Sequence, residues 1–285
     1  MTTNFPAALD SYTTKVDNVD SVMASHVNNP QDAIVALETQ SVYRYIAELK
    51  MLPGLVGLWP MSSISANSGQ AYDIGGQVRH LSKNGNPQYR IINPTTYSIP
   101  IIDLDGTGDY LNRADESGLD ILGSESWNAT PGLSAFTWVA FDNATPGSAE
   151  WLLSKDAGAG QRSWRLTHST AGKLLLTVSA DGTAIFTTTS GTGTGTGWVF
   201  AGVRFVPSTS IEVYIGVGGA VEKTSNTTSI PAALFNSNAD LTVGGGSGGS
   251  SLMAGRVGPI VLAANAWSDE VFTRLYNNGR ILFGV

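Results

Sequence analysis

The chain has 285 residues, of which 42% are apolar and only 14% charged, well under the usual charged share of roughly 25%. Its 23 acidic residues outnumber its 16 basic ones, and no block of Lys or Arg offers an electrostatic footprint for nucleic acid or an anionic membrane surface. There is no cysteine, so disulfides and thiolate metal sites are excluded and packing with backbone pairing must hold the fold.

No run of about 18 apolar residues exists, and no membrane insertion is expected. Residues 1–10 lack the basic and apolar regions of a signal peptide, so work outside a cell would be reached without a secretory leader. Residues 1–29 are polar, with Phe5-Pro6, Tyr12 and Val16 as isolated anchors, and read as an extended arm that only a partner surface could order. From Pro30 the pattern predicts a helix to about Lys50, with Asp32 in its first turn and Lys50 in its last, both suited to the helix dipole. Within it Val35, Val42 and Leu49 form a heptad series of under three heptads. Two readings stay open: a helix packed on its own domain, or a short self-associating helix, trimeric by preference. Pro53-Gly54 closes the helix and divides an N-terminal segment, 1–54, from a second unit, 55–285.

Leu55-Val-Gly-Leu-Trp-Pro60 reads as a strand, and 62–90 as a loop-rich excursion. Ile99–Leu104 is an apolar strand that runs into Asp105-Gly106-Thr-Gly108 and restarts on Tyr110-Leu111; the two glycines allow the turn its positive φ values. Residues 112–134 read as loop and hold Trp127. Strand-like segments follow at 136–141, 151–154, 163–167, 173–178, 183–187, 198–205, 211–215, 241–243 and 257–263, separated by turn signals such as Ala171-Gly172 and Asp181-Gly182. The glycine runs 191–197 and 244–249 read as surface connections. Ser268–Tyr276 predicts a short helix with Ser268 as N-cap and Phe272, Leu275 and Tyr276 buried. Many short strands without alternating helices give an all-β fold, an antiparallel jelly-roll-like sandwich preceded by the arm and one helix.

Catalytic chemistry finds little support. A glycosidase on such a fold needs two carboxylates projecting from one strand, whereas Glu150 and Asp156 stand six apart and Glu212 and Glu222 stand alone; all four read as solvated surface acids. The three histidines, His26, His80 and His168, are scattered, and no Gly-x-Ser-x-Gly elbow accompanies Ser163 or Ser169 beside His168. No zinc-ligand spacing occurs. The expectation is therefore a protein that is not an enzyme. Among the tryptophans, Trp127 and Trp151 are the candidates to stack on sugar rings, ahead of Trp164 and Trp267. Asp103, Asp105 and Asp109 are candidate metal ligands, set against their use as turn caps.

Taken in order, Leu55–Pro60, Ala71-Tyr-Asp-Ile-Gly-Gly76, Leu104-Asp-Gly-Thr-Gly-Asp-Tyr110, Phe136-Thr-Trp-Val139, Leu153-Ser-Lys-Asp156, Gly197-Trp198 and Leu241-Thr-Val-Gly-Gly245 resemble the laminin-G-like branch of the concanavalin A-like lectin and glucanase fold, over about 55–285. The resemblance implies a carbohydrate-binding type of sandwich. Where such domains carry an acid before the last helix, this chain has Gly255-Arg-Val-Gly-Pro-Ile260, so no cofactor is expected, with calcium left open only at the three aspartates above. Asn4–Tyr12, Asp20–His26 and Asp32–Glu38 resemble the start of many tailed-phage virion proteins. That implies a capsid decoration or tail-fibre protein, made in the host cytoplasm and carried on the virion surface. Its residues 1–54 would bind other virion proteins, as a homotrimer, and its sandwich would project toward cell-surface glycans. The alternative is a free lectin or an inactive relative of a glycan hydrolase.

Overall fold

The structure, a computed structural model, describes residues 42–61, 69–92, 99–125 and 130–285. The arm, the first part of the expected helix with Val35, and Trp127 lie outside the described residues. Helix α1 is described over 42–50. Then come β1 (Leu55–Trp59), β2 (Gln70–Ala71), β3 (Leu81–Asn84), β4 (Gln88–Ile92), β5 (Ile99–Asp105), β6 (Tyr110–Arg113), β7 (Leu133–Phe141) and β8 (Glu150–Asp156). The series continues with β9 (Arg162–His168), β10 (Leu174–Val178), β11 (Phe186–Thr189), β12 (Val199–Val206), β13 (Ser210–Val217), β14 (Ala220–Asn226), β15 (Leu241–Val243), β16 (Ala254–Ala263) and helix α2 (Asp269–Phe283).

These strands pair antiparallel into two eight-stranded sheets, the all-β sandwich expected from the sequence. Sheet I runs β14-β13-β12-β7-β16-β5-β4, with β1 added on β16; sheet II runs β11-β10-β9-β8-β15-β6-β3-β2. Side chains alternate along a strand, so each sheet has an inner and an outer face. The inner faces meet in one apolar core that includes Leu104, Val139, Phe141, Leu166, Leu176, Val203 and Val257.

Sheet I is buried on its outer face as well. A second cluster joins Phe136, Trp138, Phe200 and Tyr214 of the sheet to Phe272, Leu275, Tyr276, Leu282 and Phe283 of α2 and to Tyr45 and Leu49 of α1. Strand β7, Leu-Ser-Ala-Phe-Thr-Trp-Val-Ala-Phe, is accordingly buried along its whole length. Trp138 stacks on Phe283 with ring centroids 4.6 Å apart and on Tyr276 at 5.8 Å, and its Nε1 donates to Tyr45 Oη at 3.0 Å. Helix α2 runs seven residues beyond the expected end at Tyr276 because Gly279 is a packing site and not a stop. A Cβ there would stand 2.7 Å from Trp138 Nε1 and 2.8 Å from Tyr45 Oη.

This packing accords with the first of the two readings of the helix, one packed on its own domain. Leu49 is 0% exposed inside the cluster, and Val42 packs half-buried against it. Glu48 on α1 accepts from Arg274 Nε at 2.7 Å and Asn278 Nδ2 at 2.8 Å of α2. A trimer seam using Leu49 would have to pull it from its own core. The same contacts carry the packing unit across the expected division at residue 54, since Leu52 is buried in that cluster too. Strands β2, β3, β4 and β14 were not expected; the first two lie in the stretch 62–90 read as loop, and β4 begins in it.

Candidate functional site

Both helices lie on sheet I, so among the described residues no helix covers the outer face of sheet II. One transverse row of that face crosses all eight strands in register: Thr187, Thr177, Arg165, Ser154, Thr242, Asn112, Ser82 and Gln70. Every member is polar; Ser154, Thr242 and Thr177 are buried, so the members that meet solvent are Thr187, Arg165, Asn112, Ser82 and Gln70. Residues directly opposed in a ladder share a face, so the row is continuous. The adjacent row, Leu176, Leu166, Leu153, Val243 and Leu111, points the other way into the core.

Hydrogen bonds stiffen the row. Ser154 Oγ and Thr242 Oγ1 bond at 2.6 Å, Thr242 Oγ1 reaches the Gly245 carbonyl at 2.6 Å, and Asn112 Nδ2 donates to Asp240 at 2.8 Å while its Oδ1 accepts from Asn84 at 2.9 Å. The hydroxyls of Thr167 and Thr177, almost buried on this face, have no partner among the described residues.

Two aromatic stations stand on the strip, one within it at β8–β9 and one at its β2–β3 end. At β8–β9 the Arg165 guanidinium lies over the Trp151 ring, 4.6 Å from its centroid, and Arg165 Nη1 donates to Asp156 Oδ2 at 2.7 Å. The glycine run 244–249 presses on the same ring, since a Cβ on Gly246 would stand 2.8 Å from Trp151. Trp151 is thus half-buried with its π-face engaged by Arg165, and what the surface presents is the pair and not a bare indole. At the β2–β3 end Tyr72, just past β2, meets His80, just before β3, edge to face at 4.7 Å, and Tyr72 is 39% exposed. His80 Nδ1 accepts from the Asp73 backbone N–H at 3.0 Å, which leaves Nε2 to carry the ring proton outward in the neutral ring. Asp73 fixes this loop by accepting from Leu58, Gly75 and Arg79 backbone N–H groups. Three strand spacings, about 14 Å, separate β3 from β8.

Of the sequence-predicted sugar-stacking residues, Trp151 falls on this face and Trp127 lies outside the described residues. Trp164 and Trp267 are core. The three aspartates do not converge: Asp103 pairs with Arg90 at 2.7 Å, Asp105 Oδ1 caps Thr107 N–H at 2.7 Å, and Asp109 Oδ1 caps Asn86 N–H at 2.7 Å. Among the described residues no group of three or more His, Asp or Glu is placed to hold a metal.

Three of the acids expected on the surface are buried. Glu150 Oε2 meets His168 Nδ1 at 3.0 Å, and His168 Nε2 meets Thr194 Oγ1 at 2.9 Å. This has the connectivity of a hydrolytic triad, yet His168 is fully buried under the Phe141 ring, 3.9 Å between centroids, so substrate has no approach. It also ties down the glycine-threonine run expected to be a plain surface connection. Asp156 is the second, held by Arg165 as above.

Glu212 is the third, bonded to Arg204 Nε at 2.5 Å, Tyr214 Oη at 2.8 Å and Ser210 Oγ at 2.9 Å. Burial alone would raise its carboxyl, but the bonds from Arg204 and Tyr214 hold it below the usual range. Asp269 at the start of α2 is held low in the same way against burial, by Lys223, Tyr214 and Arg204. The network clamps that helix to sheet I. Glu222, the fourth acid, caps the Gly191 and Thr192 N–H groups.

No family model matches the sequence, and no curated protein sequence matches it. Solved structures do. The binding domain of Paraclostridial Mosquitocidal Protein 1 aligns with a TM-score of 0.59 at 13% identity, over 80% of this chain and 52% of that one. The botulinum neurotoxin serotype D ligand binding domain in complex with N-acetylneuraminic acid aligns with a TM-score of 0.59 at 14% identity, over 84% and 53%. The binding domain of botulinum neurotoxin DC in complex with rat synaptotagmin II gives 0.54 at 12%, over 79% and 51%. The chain spans about half the length of these structures, and at such identities the likeness is one of fold: a two-sheet sandwich of the kind found in binding domains of toxins.

Proposed function

We propose that this chain is a non-enzymatic recognition module that binds glycans on the outer face of sheet II. The observation that carries the reading is the polar row across eight strands, with the Arg165–Trp151 pair set within it and the Tyr72–His80 pair at its β2–β3 end. Amides and hydroxyls match sugar hydroxyls, and the aromatic at each station offers a ring face or edge to a pyranose. A sandwich of similar fold, the serotype D domain, was solved with N-acetylneuraminic acid, which supports the class of ligand without fixing its identity. Glycan-array profiling of the full chain and of Arg165→Ala tests it. At least one glycan class should bind, and the variant should lose tenfold or more while keeping its circular dichroism. No binding to any glycan, or equal binding by both, would count against this face.

The finer reading places the module on a phage particle as a decoration or fibre protein, attached by the segment ahead of α1. Its support is the resemblance of 4–12, 20–26 and 32–38 to virion proteins. The attachment test should delete 1–41 and not 1–54, because Tyr45, Leu49 and Leu52 belong to the sandwich's own second cluster. The truncated protein should fold and fail to enter particles; normal incorporation would favour a free lectin.

A further inference from the structure

Among the described residues that carry a side chain at positive φ, Val78 alone is β-branched, and its φ of 58° is one at which a branched Cβ is strained. Its side chain is 64% exposed, so the strain secures no burial. The backbone is pinned on both sides. Arg79 N–H donates to Asp73 Oδ2 at 3.0 Å, and the Arg79 side chain donates to Glu116 at 2.8 Å and to the Val56 carbonyl at 2.6 Å. The Arg79 carbonyl accepts from Trp59 Nε1 at 2.7 Å, and Asp73 Oδ1 accepts from Gly75 N–H at 2.7 Å. A glycine at 78 would take this turn without strain. The fold therefore gains nothing from a valine there, and a reward for it has to come from outside the fold.

The loop that holds Val78 also carries the Tyr72–His80 pair. Ala71 and Leu81 oppose each other and point into the core, so alternation turns Gln70 with Ser82, and Tyr72 with His80, to the outer face of sheet II. Asp73 N–H occupies His80 Nδ1, and the neutral ring presents Nε2–H as a donor beside the exposed Tyr72 ring. A rigid loop thus offers an aromatic ring, one N–H donor and one exposed branched aliphatic side chain. An acetamido sugar has matching parts: a carbonyl that accepts, a methyl group, and a pyranose face of C–H groups.

We propose that loop 72–80 is the specificity element of the sheet II face and selects a sugar bearing an N-acetyl group. His80 Nε2–H serves the acetamido carbonyl, and Tyr72 and Val78 serve its methyl group and the sugar ring. The inference rests on the glycan reading and names the sugar taken at the β2–β3 end.

The test uses the full chain and matched glycans that end in N-acetylglucosamine or N-acetylgalactosamine, in the corresponding free amino sugar, or in glucose or galactose. The wild type should bind the acetylated member of each set about tenfold more tightly. Val78→Gly should lose most of that preference with a Tm equal to or above that of the wild type, a combination that a purely structural valine would not give. His80→Ala should lose the preference too, whereas Tyr72→Phe, which keeps the ring, should retain it. Binding that Arg165→Ala abolishes but that ignores the acetyl group would overturn this inference and leave the glycan reading standing; binding of no glycan at all would overturn both. A Val78→Gly protein with the wild-type preference, or with a Tm lowered by roughly 2 °C or more, would also overturn it.

Discussion

The two outer faces of the sandwich come from the same alternation of side chains and end in opposite states. On sheet I the outward positions of β7 and β12 are Phe136, Trp138 and Phe200, and the chain spends two helices covering them. On sheet II the outward positions are Ser, Thr, Asn and Arg, with Ser154 bonded to Thr242 and Arg165 to Asp156, and no described helix covers them. The difference shows that a helix is recruited by outward aromatic residues and not by the sheet itself. Ser154, Thr242 and Thr177 are nonetheless buried, and the positions left to contact water or a polar ligand are Thr187, Arg165, Asn112, Ser82 and Gln70.

The strongest way to break the comparison is to unseat the helices. Trp138→Ala removes the ring on which Tyr276 and Phe283 stack and should cost about 3–5 kcal/mol; Leu49→Ala should cost about 2–4 kcal/mol. Urea unfolding of both checks this. A loss under about 1 kcal/mol for Leu49→Ala would mean that α1 is not part of the folded unit.

Acid offers a second, smaller test. Glu212 and Asp269 have folded pKa values below their unfolded ones, so their contribution is present above about pH 4 and is lost as pH falls through the folded values. Stability followed from pH 6 down to about pH 3 should fall, and the start of α2 should exchange its amides first. Replacing Glu212 by Gln should flatten that dependence.

The smallest effect is expected on sheet II. Thr177→Val removes a hydroxyl that has no partner among the described residues and keeps the branched shape, so stability should change by no more than about 0.5 kcal/mol in either direction. A loss above about 1 kcal/mol would show that this face is tied more tightly than the geometry indicates.

Much of this was legible in the chain. Asp105-Gly106 and Asp181-Gly182 mark turns by their backbone needs, and strands with one apolar face, such as β9 and β10, show their period directly. Strand β14, Ala-Val-Glu-Lys-Thr-Ser-Asn, was not visible because an edge strand is wetted on both faces and has no apolar period to detect. Strands β2 and β3 bury one residue each, so nothing distinguished them from loop, and the Tyr72–His80 pair they position stayed hidden. The extension of α2 past Tyr276 was not legible because the reason for Gly279, the approach of Trp138 and Tyr45, lies 141 and 234 residues away. Glu150 and Glu212 read as surface acids because their partners, His168 and Arg204, are brought alongside only by the ladders β8–β9 and β12–β13. The polar row itself is a property of register across eight strands, which no single segment contains.

Hydrogen–deuterium exchange of the full chain, with and without a saturating glycan found on the array, addresses the contrast between the faces most directly. Protection should appear in β3, β6, β8 and β9 and in the 72–80 loop, with α1, α2 and the outer positions of sheet I unchanged. Protection centred on α2 or on β12 and β13, with sheet II unaltered, would contradict the assignment of the open face as the one that binds.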